Sequence, residues 1–422
     1  MAIGDIIVGL DIGASKVSCV VGQVNKFNEI EVIGYGLNSN SGVKKGIIVD
    51  PQVVAKNIQK VIEDAEDVSS LAINSSYINI KGMNVKLENL NITSQIEKPD
   101  DGLTLNDIQG AFSKIQIATK LENNEQIIDI IPYEYYVNGR AYKEEPIGAF
   151  AKEFSIKAQV IVAHEMFLDS LMKTLKLAGL KLDGLVLETL ATSNIVLMPE
   201  EKNMGALLVD IGAGHTDISV YKDSRLEFYD TIPIGGDHIT SDIALTFDIN
   251  SEEAEKLKKQ YNLAISAMIT NNHDIKLNTV DSKDNPSIVK CSDVVKVIEA
   301  RINEIYEVTK SIIEKNNLSK KIECIVLTGQ GISNMVGAQE LAILTFKINQ
   351  VRICSPKLIN VIKPQHTTVF GMVRYISGLS IGKHVNSDVE IVTDANMKEV
   401  VLDKIQSVKE GIKNIFLKLK KS

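Results

Sequence analysis

At 422 residues the chain is too long for one ordinary hydrophobic core and suits two domains or one bilobed fold. Apolar residues at 44% and charged residues at 24% are the proportions of a soluble globular protein. The net charge of −8 argues against general nucleic-acid binding, which needs a basic footprint.

The N-terminus enters an apolar strand by Ile6 with no basic region before it, so no signal peptide is expected. Residues 6–13 are that strand, ending in Asp11 and a tight turn. Ser15 and Lys16 follow, and 17–24 is the returning strand. A third strand is expected over 29–37 and a loop over 42–46. Asp50 caps, and Pro51 opens, a helix to about residue 66 with Val54, Ile58, Val61 and Ile62 on one face. Residues 71–98 change character and read as short strands rich in Asn, Ser and Thr. A helix over 105–118 capped by Thr104 and strands over 126–137 and 155–163 follow, a compact β-α-β unit that interrupts the first half. A helix over 165–178, a strand over 183–188 ending at Glu188, and a helix over 189–197 resume the first pattern.

The second half opens on LVDIGAGHTDISVY at 208–221, two apolar runs joined by a Gly-Ala-Gly turn. Gly235-Gly236 leads into a helix; a second helix is expected over 251–261 with Ser251 as its cap. Residues 270–288 read as a loop or loose hairpin, and 292–316 as a long helix with Val295, Ile298, Ile302, Ile305, Val308 and Ile312 on its apolar stripe. A buried strand over 322–327 stops at Thr328-Gly329-Gln330-Gly331, and a helix follows over 334–345. The four cysteines, Cys19, Cys291, Cys324 and Cys354, lack metal-ligand spacing and read as small buried hydrophobes in a reduced setting.

From 382 the chain is a polar tether, and 397–422 is amphipathic. Ile405, Val408, Ile412, Ile415, Phe416 and Leu419 cluster on one side of a helical wheel, with Lys409, Lys413, Lys418, Lys420 and Lys421 around them. That pattern fits an interfacial anchor on an anionic membrane; a helix packed on the core or in a partner's groove is the alternative. No run of ~18 apolar residues offers a spanning helix.

The 208–221 hairpin has a near copy at 8–21, VGLDIGASKVSCVV, in which Asp11-Ile12-Gly13-Ala14 matches Asp210-Ile211-Gly212-Ala213. The repeat implies two related halves. Each offers an acid and a turn of small residues whose backbone N–H groups can cradle phosphate. Facing one another, the turns would grip a polyphosphate, with Asp11 and Asp210 holding Mg²⁺ through its waters. The bland alternative is that each acid caps its own turn; two matched copies favour the nucleotide. Asp210 is also placed to orient an attacking water. Gly329 and Gly331 end a buried strand where ligand can meet backbone. Glu255 and Lys258, one helical turn apart, could reach a nucleoside or simply pair with each other. The histidines show no spaced cluster, so no metal site or nucleophilic triad is read from them.

The order of these features resembles the actin/Hsp70/hexokinase ATPase superfamily and, within it, the FtsA family of bacterial cell-division proteins. GLDIGASKV at 9–17, GVKKGIIVD at 42–50, IPYEYYVNG at 131–139, LVDIGAGHTD at 208–217, PIGGDHITSDIA at 233–244, AEKLK at 254–258 and TTVFG at 367–371 carry the resemblance. So do the inserted unit and the amphipathic tail. The resemblance implies an α/β, bilobed actin-like (ribonuclease-H-like) fold. Its first lobe is 1–82 with 163–190, and its inserted subdomain is 83–162. The second lobe is 191–237 with 310–381, capped by 238–309, before the tether (382–396) and tail (397–422).

It also implies ATP and Mg²⁺ as cofactors, homopolymer filaments, and a tether between the FtsZ ring and the cytoplasmic face of the membrane at the septum. Asp11, Gly13, Ala14, Ser15 and Lys16 would meet phosphate and metal from one half. Asp210, Gly212, Ala213, Gly214, His215 and Thr216 would do so from the other. Gly235, Gly236, Gly329, Gln330 and Gly331 would line phosphates and nucleoside, with Glu255 and Lys258 near ribose or adenine. Asp210 and Glu188 are the catalytic candidates, and whether ATP is hydrolysed stays open. The FtsZ C-terminal tail is expected on 238–309, at Arg301 and Glu304, and later division proteins on 83–162. Where the family usually has Thr-Gly-Gly this chain has Thr328-Gly329-Gln330; a left-handed second position would cost glutamine about 1–2 kcal/mol. A pilus-assembly scaffold of the PilM type and a phosphotransferase or hydrolase of the same fold are the alternatives.

Overall fold

The computed structural model describes residues 4–27, 29–44, 46–81, 85–277, 287–354 and 366–378. It divides into a unit over Met1–Gly382 and one over Lys383–Ser422; the expected tether and tail lie outside the described residues. Among the described residues no helix is long and apolar enough to cross a membrane.

The chain opens with antiparallel strands β1 (Ile6–Ile12), β2 (Lys16–Val24) and β3 (Ile30–Ser39). A small hairpin, β4 (Val43–Lys44) with β5 (Ile47–Ile48), occupies the expected loop. Helix α1 (Pro51–Ser69) follows; Asp50 caps it by accepting from the Gln52 and Val53 N–H groups, with Pro51 at the first turn as expected. Strand β6 (Ser75–Ile80) returns to the sheet beside β1.

The inserted unit then runs β7 (Val85–Gln95), α2 (Leu105–Ala118), β8 (Glu125–Val137), β9 (Arg140–Tyr142) and β10 (Glu153–His164), in a sheet ordered β7-β10-β8-β9. It has more strands than the expected β-α-β, because Asn138-Gly139 turns the chain with both φ positive and adds β9. Thr104 and Asp107 close a capping box at α2. The first pattern resumes with α3 (Glu165–Ala178), β11 (Lys181–Leu187), α4 (Glu188–Val196) and α5 (Pro199–Met204). Glu188 therefore begins a helix, where its acid suits the positive end of the dipole, rather than ending a strand.

The second half runs β12 (Ala206–Ile211), β13 (Thr216–Lys222), β14 (Arg225–Ile232), α6 (Gly236–Phe247), α7 (Ser251–Gln260), β15 (Asp274–Leu277), β16 (Ser287–Lys290) and α8 (Cys291–Lys315). It ends with β17 (Cys324–Thr328), α9 (Ala338–Phe346), β18 (Val351–Ile353) and α10 (Thr367–Ser377). Asn250, not Ser251, caps α7 by accepting from Glu253 N–H.

The two halves share one topology. The first sheet is ordered β11-β6-β1-β2-β3 and the second β18-β17-β12-β13-β14, each a three-strand meander with two parallel strands beside its first strand. Even the bulge repeats: register slips between Val21 and Gly22 in β2 and between Val220 and Tyr221 in β13, the same 199-residue offset (210 − 11) that relates Asp11 to Asp210.

Strand alternation sorts the core. Val8, Leu10 and Ile12 face α1 and α3 in one cluster, and Leu207, Val209 and Ile211 face α6 and α8 in another. Ile7 of β1 and Ala206 and Leu208 of β12 face each other's lobe, through a shared layer made by α4 and α10. These helices cross closely: a Cβ on Gly371 would lie 2.2 Å from the Ala191 carbonyl oxygen. Cys19, Cys291 and Cys324 are buried, as expected of small hydrophobes, whereas Cys354, just past β18, is only half-buried.

Gly371→Ala should therefore force α10 off α4 and cost about 1–3 kcal/mol of stability. Gly110→Ala, on an exposed turn of α2 where no atom of the described residues lies within 4 Å of the new Cβ, should gain about 0.5–1 kcal/mol. Denaturant melts of the two variants check the contrast.

Candidate functional site

The alternation that sorts the core also aims the acids. Asp11 shares a face of β1 with Ile7, and Asp210 shares a face of β12 with Ala206 and Leu208, so both carboxylates point into the seam between the lobes. Beyond each acid the turn closes in the same way. Gly13 N–H donates to the Lys16 carbonyl at 2.8 Å, and Gly212 N–H to the His215 carbonyl at 3.0 Å.

Each turn is buttressed from the end of its sheet's third strand. Asn40, just past β3, donates from its side chain to the Gly13 carbonyl at 2.7 Å and from its backbone to the Ser15 carbonyl at 2.9 Å. On the other side Gly236 and Asp237 N–H groups donate to the Gly212 and Ala213 carbonyls at 2.9 and 2.8 Å. Gly235 has to be glycine here, since a Cβ would lie 2.6–2.8 Å from Ala213 O, Gly212 O and His215 N. Gly331 N–H donates to the Ile211 carbonyl at 2.9 Å, which brings the end of β17 to the same turn. Among the described residues nothing lies within 4 Å of a Cβ position on Gly214 at the tip, and Ser15 is exposed.

The left-handed residue of the Thr328-Gly329-Gln330 turn is Gly329, at φ 96°, with Asp210 Oδ1 2.4 Å from its would-be Cβ. Gln330 is absent from the positive-φ positions and is exposed, so the strain anticipated there does not arise. Thr216 is fully buried and donates to the Ile234 carbonyl at 2.7 Å; its hydroxyl buttresses the turn. Lys258 donates to the Gly236 carbonyl at 3.0 Å and to Thr240 Oγ1 at 2.7 Å. It also pairs with Glu255 Oε2 at 2.6 Å, and Thr240 donates to that same oxygen. The pair thus ties α7 to the start of α6, beside the second turn. Arg301 lies apart, on α8, where it grips Asp242 of α6 with two bonds of 2.6 and 2.8 Å and also pairs with Glu304.

Three residues that sequence reasoning passed over complete the seam. Asn79, at the end of β6, donates to Asp11 Oδ1 at 2.9 Å and to Glu188 Oε2 at 3.3 Å. Lys81 places its ammonium 3.1 Å from Glu188 Oε2 and 3.8 Å from Asp11 Oδ1. Asp217 lies 3.3 Å from His215 and accepts from the hydroxyls of Tyr229 and Thr231 at 2.7 and 2.5 Å. The available signals were a polar Asn and Lys closing the apolar run before 82, and the acid that ends GAGHTD. Contrary to the sequence reading of the histidines, His215 joins Glu188 and Asp217 in a group whose ligand atoms lie within 4.8 Å of one another.

Burial governs the charges here. It pushes the Asp210 carboxyl up to about 6, with Asp217 adding to the effect, and it pushes Glu188 up against the pull of Lys81. Burial opposes the Lys81 charge, but Glu188, Asp11 and Asp217 outweigh it and hold that ammonium above its ordinary range. Lys16 is lowered, by burial first, despite Asp11.

A family model described as Cell division protein FtsA matches residues 207–371, and one described as an SHS2 domain inserted in FtsA matches 82–162. The cell division protein FtsA of Pseudomonas aeruginosa is 30% identical over 378 residues, 88% of this chain and 89% of the relative. The chain belongs to the FtsA family. FtsA of Bacillus subtilis is 27% identical over 384 residues, 90% of this chain and 86% of the relative.

Solved structures agree in fold. The PilM-PilN type IV pilus biogenesis complex gives a TM-score of 0.59 at 15% identity, covering 90% of this chain and 98% of the other. MreB5 of Spiroplasma citri bound to ADP gives 0.55 at 14%, covering 90% and 98%. The MamK double helical filament gives 0.51 at 14%, covering 89% and 99%. The fold is actin-like, and this FtsA-family chain is a cell-division actin homologue.

Asp210 yields a pH prediction. A folded-state pKa of about 6, above the ordinary 3.8, means that stability is lost as pH rises through that interval and the buried acid ionises. Without nucleotide or divalent ions, Asp210→Asn should raise the melting temperature at about pH 7.5 and lose that advantage near pH 4. Thermal scans of both proteins across that range check the sign.

Proposed function

We propose that the two matched turns hold the phosphates of ATP with Mg²⁺, and that the chain is a nucleotide-dependent filament former linking the FtsZ ring to the cytoplasmic membrane at the division septum. The observation that carries the reading is the pairing itself. Two turns of one construction end corresponding strands of two like sheets and bring Asp11 and Asp210 into one buried cluster. Asp11, Gly13, Ala14, Ser15 and Lys16 serve the phosphates from one lobe, and Gly212, Ala213 and Gly214 from the other. Gly235, Gly236, Gly329 and Gly331 keep backbone close to the ligand, and Glu255 with Lys258 borders the nucleoside.

The residues fit Mg²⁺. The donors at the seam are hard carboxylate oxygens, and burial drives Asp210 toward its neutral form, a cost that a cation beside it would relieve. Mg²⁺ there would neutralise phosphate charge. Lys16 and Lys81 add positive charge from the first lobe, and Asn79 holds Asp11 in place. Glu188 and Asp210 are the acids that could position a water for hydrolysis.

Family membership supports the remaining assignments. The cap over 238–309, with Arg301 and Glu304, is the surface assigned to the FtsZ C-terminal tail, and the inserted unit over 83–162 to later division proteins. Self-association is supported by the likeness in fold to MamK, solved as a double helical filament. The amphipathic pattern over 397–422 supports a peripheral anchor on anionic lipid. The PilM-like alternative shares the fold, but family membership and the lysine-rich tail favour the tether.

Titration calorimetry with ATP and Mg²⁺ tests the site: wild-type chain should bind saturably, and Gly235→Val should lose at least about tenfold in affinity as its side chain displaces the second turn. No saturable binding by wild type would overturn the nucleotide reading. Vesicle co-sedimentation tests the anchor. The full chain should pellet with anionic vesicles, less so in high salt, and a chain ending at residue 394 should not. Equal behaviour of the two chains would remove the anchor.

A further inference from the structure

A second cluster of charge lies at the end of the sheets opposite the seam. Helix α10 begins near the seam, where His366 bonds Ser18, the cross-strand partner of Asp11, at 2.6 Å. It runs to the other end, where Val373 packs on Gly22, 2.5 Å from a would-be Cβ there. Arg374 follows on the last turn of α10 and is exposed. Lys202, on α5, precedes β12, whose far end carries Asp210. The strand from Ala206 to Asp210 alone sets roughly 13 Å between the two ends. The backbone of α5 is held in place. Lys202 and Asn203 carbonyls accept from the Ser224 and Asp223 N–H groups at 3.1 Å each, and Arg352 of β18 grips Glu201 at 2.7 and 2.6 Å.

Lys202 is a half-buried cation without an anion. Its ammonium lies 5.4 Å from the Tyr221 ring centroid, so its stem runs over an aromatic floor. Tyr221 is itself buried and fixed, its hydroxyl donating to the Thr189 carbonyl at 3.0 Å. Among the described residues, neither the Lys202 nor the Arg374 side chain has a carboxylate or a hydrogen-bond partner. Of the two acids before Lys202 on α5, Glu201 is taken by Arg352 and Glu200 is exposed. Lys81 and Lys258, also withdrawn from solvent, each sit against a carboxylate. Lys202 has a guanidinium for a neighbour instead. Burial first, and Arg374 second, push its ammonium down from 10.5 to about 8, with no acid opposing them. An anion between the two cations would relieve both effects.

We propose that Lys202 and Arg374 bind a phosphate group at a site separate from the nucleotide seam. Phosphate suits the pair, because the guanidinium presents a planar fork of donors and the ammonium a point charge, and tetrahedral oxygens can meet both. The group can belong to a lipid headgroup or to a small phosphate. Two features at this end match a headgroup. Met198 and Met204 flank Lys202 and are 57% and 47% exposed, which sets apolar surface beside the cations. Gly378 lies four residues past Arg374, and the amphipathic lysine-rich sequence over 397–422 follows it along the chain. Two cations attract a surface too weakly to pellet a chain without that tail, so the site needs a direct readout.

The full chain, without nucleotide or vesicles, is acetylated by an N-hydroxysuccinimide ester near pH 8, where much of the Lys202 amine is neutral. Peptide mass spectrometry follows Lys202 at constant ionic strength, with inorganic phosphate, with dihexanoyl phosphatidylglycerol below its micelle-forming concentration, or with acetate. A phosphate-bearing probe at twice its Kd should slow the labelling of Lys202 about threefold, and acetate should leave it unchanged. Protection by the lipid but not by inorganic phosphate identifies a headgroup site; protection by inorganic phosphate identifies a site for a free phosphate. Arg374→Gln should abolish the protection and, by removing the neighbouring cation, slow labelling without any probe. Arg374→Lys should retain part of both effects. Thermal melts check that the variants fold; if Arg374→Gln does not, the wild-type contrast between phosphate and acetate decides, with Arg374→Lys. The proposal is overturned if no phosphate-bearing probe slows labelling more than acetate does, or if folded Arg374→Gln is protected as wild type is. Neither ATP binding nor the tail enters this measurement, so its failure and theirs are told apart.

Discussion

Lys81 sits between two buried carboxylates, 3.1 Å from Glu188 and 3.8 Å from Asp11, and the seam depends on that arrangement. Acids buried without a partner would take up protons rather than stay charged. The ammonium keeps Glu188 from rising further and remains protonated itself because several acids surround it. Asn79 adds neutral donors to the same two carboxylates, so Asp11 and Glu188 are fixed in position before any ligand arrives. The phosphate and cation site proposed above gains from such preorganisation, since little has to move on binding.

The cluster exists only because two like sheets are turned face to face. The matched order of the strands, the matched bulges and the matched hydrogen bond that closes each turn are what an internal repeat predicts at the level of structure. The halves have diverged where they meet. Lys16 in the first hairpin corresponds, at the same 199-residue offset, to His215 in the second, and Ser18 corresponds to Asp217. Ser18 bonds His366 at 2.6 Å, beside α10, while Asp217 bonds His215. One turn therefore carries a lysine, and the other a histidine held by an acid.

The inserted unit is joined to the second lobe as well as the first. Gln159 of β10 donates to the Leu226 carbonyl in β14 at 2.8 Å, and the Arg225 guanidinium lies 4.9 Å from the Tyr133 ring centroid. Its Val85, Leu87, Ile128, Ile131 and Ile161 extend the apolar layer formed by α4 and α10. The unit's other face closes its own core around Phe112, Phe154 and Ile156 against α2. A subdomain so placed touches both lobes.

The sequence by itself determined whatever local chemistry could specify. Helix α2 with its Thr104 cap, α1 with Asp50 and Pro51, the long α8 stripe, both glycine turns and the repeat that relates them were legible from spacing alone. The Asn138-Gly139 hairpin was legible in principle and was passed over; β14 was harder, because Asp223 and Ser224 take positive φ without a glycine to mark the turn. Only the tertiary structure decided which residues meet at the seam. Asn79, Lys81 and Asp217 come from distant parts of the chain, each alone reads as an ordinary polar residue, and Glu188, singled out only through the resemblance, meets them in the fold. Their roles arise from burial and mutual charge, which depend on three-dimensional distance and have no period along the sequence.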